Sequence, residues 1–346
     1  SGQVNQPTNQ VVCNNTATNA VNFSTTNTNG TTSYAWSINT NIGLSPLTGT
    51  GDLPSFTAIN TGTTPITATI TVTPTYNGTS ICNGTSKTFT ITVNPSGQVN
   101  QPTNQVVCNN TATSTVNFST TNTVGTTSYA WSFDTNIGLI PLTGSGNIPS
   151  FTAINTGTTP IVATITVIPT FTNGATNCIG SSKTFTITVN PSAQVNPIPN
   201  QTLCSNNSTT AINFTTNNTG GITNYNWTNS NTTIGLPASG TGNINAFNVT
   251  NSTANPITAT ITVTPSFSNG TPSCSGPSQT FTITVNPSPA VNFSPTNQTI
   301  CSGETSALVN LSSATPGATF SWTAVQPAGI TGVITSGTNT IPAQNL

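Results

Sequence analysis

Seven cysteines are the residues best equipped for covalent chemistry in this sequence, and they recur with a fixed period. Cys13, Cys108, Cys204 and Cys301 follow one another at intervals of 95, 96 and 97 residues. A second set, Cys82, Cys178 and Cys274, follows the first three at 69, 70 and 70 residues. One pair per period predicts the disulfides Cys13–Cys82, Cys108–Cys178 and Cys204–Cys274, with Cys301 left unpaired. The expected bond ties an N-terminal strand to the final hairpin of the same repeat. On the chain-entropy account, closing such a loop is worth about 4 kcal/mol. Structural disulfides belong to oxidising compartments, so the same pairs predict an extracellular, cell-surface location. A metal-ligand reading of the cysteines has little to stand on, because the chain has no His and no CxxC motif.

Ionisable groups are otherwise nearly absent. Only Lys87, Lys183, Asp52, Asp134 and Glu304 are charged, for a net charge of −1. General acid–base catalysis needs a tuned proton carrier, calcium sites need clustered carboxylates, and phosphate contacts need many Lys and Arg. The expectation is therefore no catalytic residue, no metal site, no cofactor and no nucleic-acid partner. Lys87 and Lys183 resemble the lysines of Lys–Asn isopeptide staples, but repeat three has Gln279 in their place and the acids do not align: Asp52 matches Asn147, and Asp134 matches Asn39. Solvated lysines are the simpler reading. No apolar run reaches the roughly 18 residues of a spanning helix.

The period in the cysteines belongs to the whole chain. SGQVNQPTNQVVCNNTAT at 1–18 recurs unchanged at 96–113, and the third copy keeps the same landmarks. Trp36, Trp131, Trp227 and Trp322 are spaced by 95, 96 and 95 residues. This predicts repeats at 1–95, 96–191 and 192–287, with 288–346 a truncated fourth copy. In 66–73 and 87–93 apolar residues alternate strictly with Thr, the mark of strands with one buried and one wet face. Residues 20–25, 33–38 and 55–60 are further strand candidates, punctuated by Asn-Gly at 29–30, 77–78 and 83–84. No helical period appears. Short strands at this density predict an all-β, immunoglobulin-like Greek-key sandwich repeated in tandem, joined by short TVNPS segments and arranged as an extended rod. An aromatic two residues before each Trp puts both on one strand face, and the four tryptophans are assigned to the cores.

SYAWSINTNIG, TGTTPITATITVTPTY and KTFTITVNP resemble the PKD-like repeats of very large secreted proteins from Bacteroidota, across all four copies. The acidic turn typical of PKD domains is replaced here by YAWSINTN at 34–41. The resemblance implies export through the type IX system, cell-surface attachment, and a place in adhesion or gliding-motility filaments. The leading expectation is thus a structural stalk or filament segment that supplies length and stiffness. Its partners would be further copies of itself in bundles, with surface glycans or other adhesion targets engaged by parts outside this segment. The alternative is a repetitive binding module whose exposed Thr/Asn strands contact glycan or ice. Val162 and Ile168 interrupt the Thr rows in repeat two, which favours β-propensity as the reason for the threonines.

Overall fold

Alternation of apolar residues with threonine produces the central strands of each complete repeat. The computed structural model describes residues 1–346. These divide into two units, Ser1–Asn190 and Pro191–Leu346.

The first unit holds two copies of one sheet. In the first copy the strands are β1 (Gln10–Cys13), β2 (Thr31–Ile38), β3 (Thr48–Thr50), β4 (Ile66–Asn77), β5 (Ile81–Asn83) and β6 (Lys87–Asn94). Their spatial order is β1-β6-β4-β2-β3, with β5 folded back on β4. The β4–β6 pair is antiparallel and sets Ala68 against Ile91 and Ile70 against Phe89, all essentially without solvent exposure. β1 runs parallel to β6, from Gln10 opposite Ile91 to Cys13 opposite Asn94. The second copy repeats the pattern with β7 (Gln105–Cys108), β8 (Thr126–Phe133), β9 (Thr143–Ser145), β10 (Ile161–Asn173), β11 (Thr176–Ile179) and β12 (Lys183–Asn190).

The layer facing each sheet is thinner than the sequence predicts. Residues 20–25 and 55–60 form no extended strands; in this layer only single bridges form, Ala17 to Thr57 and Val21 to Leu53. Side chains take the places of ladder partners there. Phe23 N–H donates to Asp52 Oδ1 at 2.7 Å, and Phe56 N–H donates to Thr18 Oγ1 at 3.1 Å. Leu53, Ala58 and Ile42 nevertheless close the core from this side. The first strand lies parallel to the last, the central strands are antiparallel, and a second layer covers one face. Each repeat is therefore an immunoglobulin-like Greek-key sandwich.

Trp36 and Trp131 lie in these cores at 7% and 8% exposure. Each ring covers a glycine on the neighbouring strand, Gly49 and Gly144 respectively. A methyl group added at Gly144 would stand 2.2 Å from the Trp131 ring, so only glycine fits beneath it.

The second unit contains the third sheet, built from β13 (Gln201–Cys204), β14 (Ile222–Asn229), β15 (Ser239–Thr241), β16 (Ile257–Ser268), β17 (Ser273–Ser275) and β18 (Gln279–Asn286), in the same order. Trp227 is buried over Gly240. The remaining residues make two small sheets, from β19 (Asn292–Ser294), β20 (Val309–Ser312) and β23 (Thr340–Ile341), and from β21 (Ser321–Thr323) and β22 (Ser336–Thr338). Trp322 faces Gly337 as its counterparts face their glycines. It is only half-buried, because residues 288–346 form no long strands matching β4 and β6.

Candidate functional site at the joint between repeats

Cys13 is bonded to Cys178, not to Cys82; their Cα atoms are 5.4 Å apart and the bond spans 165 residues. The pairing expected within repeats is thereby corrected: Cys13–Cys82, Cys108–Cys178 and Cys204–Cys274 do not form. Cys82, Cys204 and Cys301 are free and exposed. Cys108 and Cys274, which stand at the corresponding positions of repeats two and three, are both disulfide-bonded.

The physical reason lies in the parallel β1–β6 pairing. Cys13 sits beside Asn94, at the end of β6. Cys82 sits on β5 opposite Tyr76, and its carbonyl accepts from Gly2 N–H, so it lies at the start of the repeat. Gly2 and Gly84 approach so closely there that no side chain would fit on Gly84. The length of β6 separates the two thiols of one repeat, roughly 30 Å at the rise of a strand. A disulfide needs its Cα atoms within about 7 Å. The notion of a first strand tied to a hairpin survives, but the hairpin belongs to the next repeat.

That hairpin is held at the joint by more than sulfur. Cys178 lies opposite Phe171 on the β10–β11 hairpin, and its carbonyl accepts from Gly97 N–H at 3.1 Å. Asn173 Nδ2 donates to Asn94 Oδ1 at 2.9 Å, Cys13 Sγ lies 3.4 Å from the Asn177 carbonyl oxygen, and Thr123 N–H donates to the Thr63 carbonyl at 3.0 Å. Cys178 is 1% exposed. Two covalent connections therefore cross the joint side by side: the peptide Asn94-Pro95-Ser96-Gly97 and the cystine. A single peptide crossing would leave torsional freedom about the linker. The covalent ring that the two crossings close runs through residues 13–178. The pairing of Cys13 with Asn94 and of the Cys178 carbonyl with Gly97 N–H keeps the two crossings adjacent, with Pro95 fixing one dihedral of the peptide crossing.

A second element supports the joint, and the sequence reading passed over it. Asn60 is 1% exposed; its Nδ2 donates to the carbonyls of Val93 and Thr64, at 2.7 and 2.8 Å, and its Oδ1 accepts from Gly62 N–H. Its own N–H donates to Asn14 Oδ1 at 2.7 Å. Backbone and side chain of Asn60 together lock the residue after Cys13 to the loop entering β4 and to the end of β6. Asn155 repeats the arrangement on Val189 and Thr159, and Asn251 on Val285 and Asn255. The only signal was an Asn recurring six residues before each β4-type strand, in a chain where Asn is common.

Asp52 and Asp134 act as hydrogen-bond acceptors. Asp52, Asn147 and Asn243 each accept from the backbone N–H of a phenylalanine, at 2.7 to 2.9 Å. Asn39, Asp134 and Ser230 each accept from a threonine N–H at 2.8 Å. The Thr164 N–H bond holds the Asp134 carboxyl below its ordinary range, while burial pushes Tyr34, Tyr129 and Tyr225 up. No three His, Cys, Asp or Glu side chains gather as a metal would require. Thr67 and Thr92 hydrogen-bond to each other at 2.9 Å, as do Thr258 and Thr284 at 3.0 Å, so part of the outward hydroxyl surface is already paired. The depression among Phe293, Leu311, Trp322 and Ile341 is the uncovered core of the last segment. No helix is long and apolar enough to cross a membrane.

No protein-family model and no curated protein sequence matches this chain. Among solved structures it is similar to the I9–I11 tandem of titin, at 13% identity over 83% of this chain and 100% of that one, with a TM-score of 0.28. It is also similar to the human desmocollin-1 ectodomain, at 12% identity over 99% and 74%, TM-score 0.29. Three N-terminal domains of the bacteriophage RB49 outer capsid protein Hoc match at 14% identity over 83% and 98%, TM-score 0.38. The fold assignment rests on strand order and pairing within this chain.

Proposed function

We propose that this chain is a load-bearing spacer: a structural segment of a large extracellular, cell-surface protein that supplies length and stiffness rather than catalysis. The observation that carries this reading is the Cys13–Cys178 bond, because a staple between successive repeats acts on their connection, whereas a staple within a repeat would act only on that repeat's own fold. Cystines persist in oxidising compartments, which supports the extracellular placement. The repeat boundaries at 95/96, 191/192 and 287/288 follow from the same reading. The PKD-like resemblance, with its implied Bacteroidota source, type IX export and role in adhesion or gliding filaments, is the finer form of this proposal. The binding-module alternative has less support, since the Thr67–Thr92 and Thr258–Thr284 hydroxyls satisfy one another.

Small-angle scattering on chains with one, two and three complete repeats tests the reading. The expected result is a maximum dimension that grows by a constant step per repeat when oxidised. Reduction with dithiothreitol should leave each sandwich folded and loosen the angular distribution between repeats. A maximum dimension that saturates with repeat number, or one indifferent to reduction, would overturn the spacer reading.

A further inference from the structure

Of the five Asn-Gly pairs in the chain, Asn173-Gly174 stands on the joint itself. Asn173 ends β10 and pairs with Thr176, so Gly174 and Ala175 make a two-residue turn with Gly174 at a φ of 61°. The turn is exposed, and no atom lies within 4 Å of the point where a Cβ on Gly174 would stand. An open glycine amide is the least shielded nucleophile a backbone can offer to the side chain before it. The Asn173 side chain is engaged elsewhere: its Nδ2 donates across the joint to Asn94 Oδ1 at 2.9 Å. Asn94 is fully buried, and its own Nδ2 has no hydrogen-bond partner. Other Asn-Gly pairs are placed differently. Gly84 N–H is taken by the Pro74 carbonyl at 2.8 Å, Asn77 Nδ2 donates to Ser33 Oγ at 3.1 Å, and Asn29-Gly30 is exposed just before β2.

We propose that Asn173-Gly174 is a self-modifying site gated by the joint: its deamidation is held back while the joint is closed and released when the joint opens. Gly174 N attacks Asn173 Cγ, the Cγ–Nδ2 bond breaks, and ammonia leaves with the proton from Gly174, giving a five-membered succinimide. Water then adds to one ring carbonyl, and the bond from that carbon to Gly174 N breaks. Opening at Cγ leaves aspartate and opening at the backbone carbonyl leaves isoaspartate, so either route replaces one amide by one carboxylate. Two features of the closed joint oppose ring closure. The leaving nitrogen is tied to Asn94 Oδ1, and pairing with Thr176 keeps the Asn173 backbone in the strand. Cys178 lies on the same hairpin, so breaking its bond to Cys13 frees the turn and with it the side chain. A carboxylate at 173 cannot donate to Asn94 Oδ1. Turning the Asn94 amide over instead presents its unpartnered Nδ2 to the new charge. The reclosed joint then carries a charge-assisted hydrogen bond where a neutral one stood.

The test follows deamidation of the full chain at mildly alkaline pH by peptide mapping and mass spectrometry, with and without dithiothreitol. Asn29-Gly30 serves as the ungated reference in the same molecules. In the oxidised chain Asn173 should react more slowly than Asn29. Reduction should accelerate Asn173 by about tenfold, which is about 1.4 kcal/mol and within the range of one lost hydrogen bond. The rate at Asn29 should not change. Asn94→Ala should speed Asn173 similarly with the cystine intact; circular dichroism checks its fold, and the reduced parent chain carries the test if that variant does not fold. Asn173→Asp, which installs the aspartyl product directly, should raise severalfold the dithiothreitol concentration that half-reduces the Cys13–Cys178 peptide. Equal rates at Asn173 and Asn29 in the oxidised chain would overturn the inference. So would a rate at Asn173 indifferent to reduction, or a parallel acceleration of Asn29 that marks general loosening. A cystine reduced more easily in Asn173→Asp would overturn the re-bonding through Asn94.

Discussion

Pulling on the first two repeats should reveal a chain that cannot lengthen by unfolding. A fragment spanning 1–190 with Cys82→Ser and Cys108→Ser retains Cys13 and Cys178, whose bond encloses everything between them. With the ends held, tension enters along 1–13, crosses the sulfurs and leaves along 178–190. That path is already largely extended: it follows β1 beside β6 in the first repeat and β12 in the second. At about 3.6 Å per residue it can reach about 90 Å, whereas the open chain of 190 residues would reach about 680 Å. The bond therefore withholds about 590 Å of contour. It should also contribute about 5 kcal/mol against global unfolding on the chain-entropy model. Single-molecule force spectroscopy with handles at both ends provides the assay. Oxidised molecules should stretch stiffly to rupture of a handle without unfolding steps, and dithiothreitol should restore steps summing to about 590 Å. Rips of several hundred ångströms in oxidised molecules would refute the reasoning.

Other consequences are local. Asn155→Ala should lower the stability of repeat two by about 1–3 kcal/mol, because it strands the buried carbonyl of Val189 and removes the bond to the Thr159 carbonyl; chemical denaturation followed through Trp131 fluorescence measures it. Gly144→Ala should cost about 1–3 kcal/mol by displacing the Trp131 ring, with a matching change in near-UV circular dichroism. The lowered Asp134 carboxyl makes its contribution above the ordinary carboxylate range and loses it as pH falls through the lower folded value; Asp134→Asn, the residue of repeat one, should remove that acid-side dependence in a melting series. Raised Tyr34, Tyr129 and Tyr225 work in the opposite direction: their contribution is complete below the unfolded tyrosine value near 10 and is lost as pH climbs through the folded one, so Tyr129→Phe should blunt alkaline unfolding of repeat two. Between these limits, with five charged residues in the chain, melting temperatures should hold within a few degrees from low to molar salt.

What the residues disclosed, and what they withheld, follows from the range over which each signal acts. Alternation of Ile, Val and Phe with Thr is local, and it located β4 and β6 to within a few residues. The Trp period found the centre of each complete core, since a large apolar ring has few other places to go. The second layer was harder to read. AVNFST and SFTAIN carry strand-like composition, yet Asp52 and Thr18 supply their hydrogen bonds from side chains, an exchange that propensity does not register. The cysteine period fixed which residues are equivalent but could not fix which repeat supplies the partner. A spacing of 69 within a repeat and 165 across two are equally regular. Only the parallel direction of β1, a tertiary fact, decides that Cys13 faces onward. The glycine beneath each tryptophan and the buried Asn60, Asn155 and Asn251 were visible as letters, but their burdens became apparent only in three dimensions.

The staggered cystine also bears on how such a gene can change. Near-identical blocks such as those encoding 1–18 and 96–113 invite unequal recombination, which adds or deletes whole repeats. Because a repeat contributes one strand-end cysteine forward and one hairpin cysteine backward, an in-register duplication inserts both halves of a bond at once. Copy number can then drift without orphaning a thiol inside the array. Selection on length is free to act through recombination alone, with no compensating point mutation required at any joint.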